Sequence, residues 1–345
     1  MQLAKLSKGL RAAYSGSNVV SRVRHFDGWT ERAASDDVGF SAYDHAETVR
    51  EYYDLCSEFM VFGWGESLHF TPLAPGESLE ESKIRHQRRM IGKLELQEGM
   101  TIVDIGCGIG GPMRRVVREA GVRVVGINSS EVQLEKAKAL NAEAGIEHLV
   151  DYVACSFMDM SDIEDGTFDR GYAIESTCHA PDKAGAFAEI YRVLRPGALF
   201  WGQEMCLTDK FNPDDAGHQT VRRRLQHGIA LSEIATMDEV NRALEEAGFL
   251  VDEVKDLAVE EVDATVPWYR PMERRHGNLG AALSRIPLGR KAFIGASRLA
   301  EALGAFPKGS ADVVSFMDRT ADAYVEGGRM GIFTPLCCFL ARKPS

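Results

Sequence analysis

No stretch of the 345 residues approaches the roughly eighteen consecutive apolar positions of a membrane-spanning helix; the most apolar runs, such as Thr334 to Ala341, are far shorter. The chain is therefore expected to be soluble or to lie on a surface. Its seven cysteines are odd in number and show no C-x-x-C spacing, so neither a disulfide framework nor a structural zinc site is indicated, no metal is expected, and a reducing compartment fits. Positive charge is also short: forty Lys and Arg against fifty-one Asp and Glu give a net charge of -11, which argues against nucleic acid as the main partner. Internal repeats and low-complexity tracts are lacking, and 45% hydrophobic with 26% charged residues is a globular composition, so wholesale disorder, collagen and coiled coil are excluded. The length predicts two domains, or one enlarged α/β domain with appendages.

The N-terminus differs from the rest. Lys5, Lys8, Arg11, Arg22 and Arg24 precede the first acidic residue, Asp27, and Leu3, Leu6 and Leu10 fall at helical spacing. A solvated basic arm, a surface helix drawn to anionic lipid and a transit peptide are the three readings of this segment.

From Thr101 the pattern alternates apolar strands with amphipathic helices. Strands are predicted at Thr101 to Ile105, Val122 to Ile127, Leu149 to Ala154, Phe168 to Ile174, Ala198 to Met205 and Phe249 to Val254, with helices at Glu131 to Ala144 and Met237 to Ala247. Phe187, Ile190, Tyr191 and Leu194 mark another helix, predicted to stop at Pro196-Gly197. This alternation indicates an α/β protein with a parallel, doubly wound sheet. About a hundred mainly helical residues precede it, and an apolar, Gly-containing tail follows Val266-Pro267-Trp268-Tyr269.

The first strand runs into Asp104-Ile105-Gly106-Cys107-Gly108-Ile109-Gly110-Gly111, where Gly106, Gly108 and Gly111 satisfy G-x-G-x-x-G. The motif alone is compatible with a nicotinamide dehydrogenase. A dinucleotide fold, however, wants an acidic residue about twenty positions on for the ribose, and Asn128 stands there. An acidic Asp104 in an apolar strand end suits the amino-acid moiety of S-adenosylmethionine, a cationic ligand without phosphate, so methyl transfer leads. Cys107 and Gly110 complete the loop; Asn128 can meet ribose hydroxyls, and Ser156 and Phe157 occupy the adenine position.

With these residues in hand, the chain resembles the sterol 24-C-methyltransferase family. The resemblance rests on Asp104 to Pro112, on Tyr172 to Pro181 (Tyr-Ala-Ile-Glu-Ser-Thr-Cys-His-Ala-Pro), on Gly63-Trp64-Gly65 with His69-Phe70, on Thr208-Asp209-Lys210, and on a tail with Pro267-Trp268-Tyr269, Phe333-Thr334-Pro335 and Ala341 to Pro344. It covers roughly Tyr52 to Pro344. What it implies is a class I methyltransferase fold, a Rossmann-like doubly wound sheet with a helical N-terminal part and a C-terminal appendage. It also implies a chemistry: a side-chain Δ24 alkene takes the sulfonium methyl, a hydride shifts from C24 to the C25 cation, and a proton is lost.

That chemistry asks for a dry cavity and groups that stabilise a cation. Glu175 and His179, at i and i+4 if the segment is helical, are the catalytic candidates: Glu175 for the cation or the sulfonium, His179 for the proton. Phe59, Phe62 and Trp64 are expected to form an aromatic wall, with Tyr172 as a further substrate contact. Met60-Val61-Phe62 departs from the family's usual Tyr-Glu-Tyr, and Arg224, Gln226 and Gly228-Ile229-Ala230 stand where it is usually acidic. A sterol or another isoprenoid alkene, such as a linear triterpene, is the expected partner, with peripheral contact to an endoplasmic-reticulum-type membrane or lipid droplet on the cytoplasmic side, and self-association. The expected organisation is a basic arm and variable segment (1–50), a methyltransferase domain (51–265) and a C-terminal substrate-cavity domain (266–345). A nicotinamide oxidoreductase and a non-catalytic lipid-binding protein on the same fold are the competing readings.

Overall fold

The computed structural model describes residues 2–26, 45–260, 265–273 and 286–345. Asp27 and the rest of 27–44, part of the expected variable segment, lie outside the described residues. By its contacts the chain divides into two compact units, each assembled from three stretches: Met1–Gly65, Lys210–Glu233 and Trp268–Ile332 form one, and Glu66–Asp209, Ile234–Pro267 and Phe333–Ser345 the other.

The second unit is built on a seven-stranded sheet in the order β3-β2-β1-β4-β5-β7-β6. Its strands are β1 (Thr101–Ile105), β2 (Arg123–Ile127), β3 (Val150–Val153), β4 (Phe168–Ile174), β5 (Leu194–Leu207), β6 (Leu250–Asp256) and β7 (Phe333–Arg342). Strands β1 to β5 are parallel, as the β-α alternation predicts. β7 runs antiparallel to both neighbours, β5 and β6, so the sheet is mixed rather than wholly parallel. The apolar tail of the sequence is this strand. Helix starts are set locally. Ser78 with Glu81, and Thr236 with Glu239, form reciprocal capping boxes for Leu79–Lys93 and Met237–Glu246, and Asp182 accepts the Gly185 N–H (2.9 Å) at the head of Lys183–Val193. That last helix ends at Val193, ahead of Pro196-Gly197, because β5 begins at Leu194.

Aromatic packing fixes β7 in place. Phe339 lies beside Gly202 of β5, its register partner, and fills the space where a Cβ on Gly202 would stand (2.1 Å from Cζ). Its ring also meets Phe187 at 5.7 Å and Phe200 at 5.3 Å, and Phe200 stacks on Phe249 at 5.7 Å. The missing side chain of a glycine on one strand thus makes room for a phenyl ring on the next.

The first unit is helical. Gln2–Ala13, His45–Trp64, Ala216–Ile229, Pro287–Ala302 and Ser310–Met330 are its long helices. The N-terminal segment is not a solvated arm: Leu6, Leu10 and Tyr14 are buried with Tyr52, Leu55 and Phe316, and the Tyr14 hydroxyl donates to the Leu55 carbonyl at 2.5 Å. Its cations lie on the opposite, exposed side. The buried Arg290 ties two helices together, donating from Nε to Asp318 (2.5 Å), to Asp322, and to the Met272 carbonyl (2.8 Å). Among the described residues no helix is long and apolar enough to cross a membrane.

Phe339→Ala should lower unfolding free energy by about 3–5 kcal/mol, the cost of deleting a buried ring whose neighbours cannot collapse onto a glycine. Urea denaturation followed by tryptophan fluorescence measures it; a loss below about 1 kcal/mol would show that β7 is held by its backbone pairing instead.

Candidate functional site

The glycine loop leaves β1 at Ile105. The N–H groups of Gly106 and Cys107 both donate to the Ile127 carbonyl (2.8 and 3.0 Å), and that of Gly110 to the Cys107 carbonyl (2.9 Å). Gly106, Gly108 and Gly110 have φ of 75°, 53° and 73°, a backbone region that side chains disfavour. The first two glycines differ in what surrounds them. A Cβ on Gly106 would stand 2.3 Å from Ser176 Cβ, whereas a Cβ on Gly108 would meet no protein atom within 4 Å. Gly106 is therefore required by the fold, and Gly108 borders open space in which a ligand can approach the backbone. Cys107 contributes main chain only: burial, then the charge of Asp104, pushes its thiol well above the ordinary range.

Asp104 is buried, and its register partner on β4 is Tyr172, whose hydroxyl donates to Asp104 Oδ2 at 2.7 Å. Burial raises the carboxyl to about 7, against the opposing pull of that hydrogen bond. A cationic group arriving beside it restores its charge. Tyr172, expected as a substrate contact, is fully buried with its hydroxyl engaged by Asp104.

Asn128 follows β2. Its amide donates to Gln133 Oε1 (2.9 Å) and toward the Gly108 carbonyl (3.4 Å), while its oxygen accepts the Ser130 N–H (3.1 Å). The side chain thus joins the glycine loop to the start of Glu131–Glu143, and Gln133, which the sequence did not single out, shares its position. Ser156 lies in the turn after β3, where its hydroxyl accepts the Met158 N–H (3.2 Å), and Phe157 packs half-buried against the sheet core.

Glu175 and His179 are not at i and i+4 of a helix. Glu175 has φ 52°, one of three non-glycine residues with positive φ among those described, and Thr177–His179 is a single 3-10 turn. What holds the strained residue is a set of hydrogen bonds. Glu175 Oε1 accepts the Phe70 N–H (2.6 Å) and the Gln203 amide (2.7 Å), and its own N–H donates to the Gln203 carbonyl (2.9 Å). Burial pushes the Glu175 carboxyl well above the usual range, the Phe70 N–H pulls it down, and Glu204 repels. The next residue, Ser176, donates to the Ile105 carbonyl (2.5 Å) and abuts Gly106, which brings the Glu175 turn directly against the glycine loop.

Behind Glu175 the network continues. Gln203 also donates to the Pro335 carbonyl (3.0 Å), and His86 Nε2 donates to Gln203 Oε1 (2.8 Å). His69 Nδ1 donates to the Phe70 carbonyl (2.7 Å) and its Nε2 accepts from Gln87 (2.9 Å). Burial depresses both imidazoles, His69 to about 3 and His86 to about 4, so they act as neutral hydrogen-bonding groups. Below the 3-10 turn, Lys183 donates to the buried Glu204 (2.9 Å) and to the Thr177 carbonyl (3.0 Å), and the Thr177 hydroxyl donates to Glu204. His179, on this turn, is buried. Gln203 and Glu204 interrupt the apolar run Ala198 to Met205, the same signal that singled out Asp104.

Phe59, Phe62 and Trp64 lie in the helical unit, on His45–Trp64. Phe59 is core there, its ring edge-on to Phe293 (6.2 Å) and Phe306 (6.5 Å), and Phe62 stacks on Phe293 at 5.3 Å.

The loop offers backbone beside open space, with a buried carboxyl whose charged form a neighbouring cation favours. S-adenosylmethionine, positively charged and without phosphate, fits that arrangement. A sheet of this order, its seventh strand reversed and its first strand running into such a loop, is the architecture of class I S-adenosylmethionine-dependent methyltransferases, and the protein is an enzyme of that class. The chain matches the mycolic acid cyclopropane synthetase family over residues 40–288 and the sterol methyltransferase C-terminal family over 283–345. It is 41% identical over 301 residues to cycloartenol-C-24-methyltransferase of Arabidopsis thaliana (87% of this chain, 88% of the relative). Against sterol 24-C-methyltransferase ERG6 of Saccharomyces cerevisiae it is 34% identical over 348 residues (97% and 89%). The chain belongs to the sterol 24-C-methyltransferase family. In fold it is similar to the crystal structure of the mycolic acid cyclopropane synthase CmaA1, with a TM-score of 0.69 at 20% identity over 89% of this chain and 100% of that one.

Two measurements test the loop. Gly108→Ala should lose S-adenosylmethionine binding by calorimetry with only the stability cost of a side chain at positive φ, whereas Gly106→Ala should lose more stability because its Cβ also meets Ser176; normal affinity in folded Gly108→Ala contradicts the assignment. For Asp104, the cofactor-free protein binds a proton up to pH about 7. Cofactor affinity should therefore rise from pH 6 to about 7.5, by at most about tenfold per unit, and Asp104→Asn should flatten the profile.

Proposed function

We propose that the chain methylates C24 of a sterol side chain, with the turn at Glu175 as its catalytic element. The reading is supported by the activities named for its relatives, which are cycloartenol and sterol methylation, and above all by one observation: a buried carboxyl with one oxygen held by two N–H donors, on a turn that Ser176 fastens to the glycine loop. When bound, S-adenosylmethionine supplies a sulfonium methyl as electrophile. Asp104 receives the amino group of its amino-acid moiety, the backbone of Gly106 to Gly110 lies along it, Asn128 meets the ribose, and Ser156 and Phe157 border the adenine.

The Δ24 alkene of the sterol would take the methyl at C24 as the S–CH3 bond breaks and a neutral thioether leaves, a hydride would move from C24 to the C25 cation, and a proton would be lost. Burial raises the Glu175 carboxyl, so a positive charge arriving nearby favours its ionised form. Once ionised it offsets a cation about 4 Å away by around 4 kcal/mol at an effective dielectric of 20. The two N–H donors on Oε1 keep the carboxylate oriented, and His179 takes the departing proton. Phe62 and Trp64, half-buried on the helical unit, are the aromatic contacts for the substrate, with Phe59 packed behind them as core. A sterol is nearly insoluble, so the substrate comes from a membrane surface, of the endoplasmic-reticulum type or a lipid droplet, with the protein in peripheral contact.

Incubation of the protein with methyl-labelled S-adenosylmethionine and cycloartenol, other Δ24 sterols and squalene tests the function. Label at sterol C24 is the expected result. Label in squalene alone would reassign the substrate to a linear triterpene, and no label in any lipid would remove the catalytic reading.

Glu175→Gln preserves the acceptor for Phe70 and Gln203 and removes the charge. Turnover should fall by a factor of tens or more with cofactor affinity unchanged. An equal fall in affinity and rate would assign Glu175 to cofactor positioning.

A further inference from the structure

The outer face of the Pro287–Ala302 helix is apolar where a surface helix is ordinarily polar. Leu288 is 79% exposed, Leu299 62%, and Leu303, just past the helix end, 75%. At 100° per residue these three, with Ala292 and Gly295, share one stripe. The opposite side is turned inward: Arg290 and Ser297 are buried and Phe293 stacks on Phe62. Exposed Lys291 and Arg298 flank the stripe. The one carboxylate between 287 and 303, Glu301, accepts the Ala311 N–H (2.6 Å) on the inner side.

A second element extends this face. The Ser7 hydroxyl donates to the Ala305 carbonyl (2.7 Å) and Arg11 to the Gly304 carbonyl (2.8 Å), so the Gln2–Ala13 helix lies against the turn that carries Leu303. This helix has no acidic residue, and it exposes Lys5 and Lys8 along with Leu3. Exposed cations of one element thus adjoin the leucine stripe of its neighbour in the same unit, on a chain whose net charge is -11.

We propose that this face docks on an anionic lipid bilayer, the leucines entering the acyl boundary and the lysines and arginines meeting headgroup phosphates and carboxylates. Charge decides among occupants. A second copy of the chain related by a two-fold axis would set the same cations against one another, whereas an anionic membrane complements both the charge and the apolar stripe. The inference deepens the membrane-delivery reading given above, and it names the surface that performs it.

The test uses the full-length protein, co-sedimented with vesicles of phosphatidylcholine with and without phosphatidylserine. Wild type should bind the phosphatidylserine vesicles, less so as salt rises. Leu299→Ser with Leu303→Ser should weaken that binding at least about tenfold without lowering the melting temperature. Lys5→Gln with Lys8→Gln should weaken it by about tenfold or more and reduce its salt dependence. Methyl transfer to detergent-solubilised sterol should be unchanged in both variants, and transfer to vesicle-borne sterol should fall. Wild-type vesicle binding by both variants overturns the proposal, as does failure of wild type to bind phosphatidylserine vesicles. A leucine variant that changes the molecular mass in solution and not vesicle binding also overturns it, making the face a self-interface. If wild type methylates no sterol in detergent while vesicle binding still depends on these residues, the functional reading fails and the docking surface stands.

Discussion

A carboxyl group shut away from water must be given donors or lose its charge, and the sheet unit of this enzyme is arranged around two such groups. Asp104 has one donor, the hydroxyl of Tyr172, and is left half-way between charged and neutral near pH 7. Glu175 has two donors on a single oxygen, and that is not enough to offset its burial. Both groups therefore favour a positively charged companion. In the proposed reaction the sulfonium is one such companion and the cation at carbon another, so the imbalance would be relieved when the chemistry is assembled.

Holding Glu175 ready carries its own demands. Its left-handed backbone is kept by Gln203, which pairs with it through main chain and side chain and is in turn fixed by His86 and the Pro335 carbonyl. Ser176 then joins this turn to the loop through Ile105, and the bare backbone of Gly106 leaves it room. Neutral imidazoles suit such a place better than charged ones would, since a permanent cation near Glu175 would ionise it before the substrate arrived.

Much of this was legible in the sequence, and the limits have physical reasons. Strands β1 and β4 were readable to the residue because buried parallel strands are short apolar runs with sharp ends. Asp104 stood out as a charge in such a run. Gln203 and Glu204 carry the same signal, but their partners come from distant segments, so no local pattern says what they do. Tyr172 faces Asp104 through cross-strand register, which periodicity does not encode. Whether the segment at Glu175 is helical was left open by its residues; the left-handed conformation comes from tertiary hydrogen bonds. The direction of β7 was equally hidden, as an apolar run reads the same whichever way it inserts. The N-terminal leucines were seen at the right spacing, and only the packing partner, His45–Trp64, was missing from view.

The strand β7 sits between two strands that precede it in the chain, and residues 257–332 must be traversed before it is reached. On the ribosome, β5 and β6 emerge with edges that have no partner until that excursion has been synthesised. Much of the excursion, from Trp268 to Ile332, belongs to the helical unit, so the chain completes one body while the other waits for its central seam. The sheet is thus a structure whose keystone arrives late. Order of synthesis ties the maturation of the cofactor-binding unit to that of the helices, and neither can be excised as one continuous piece of chain.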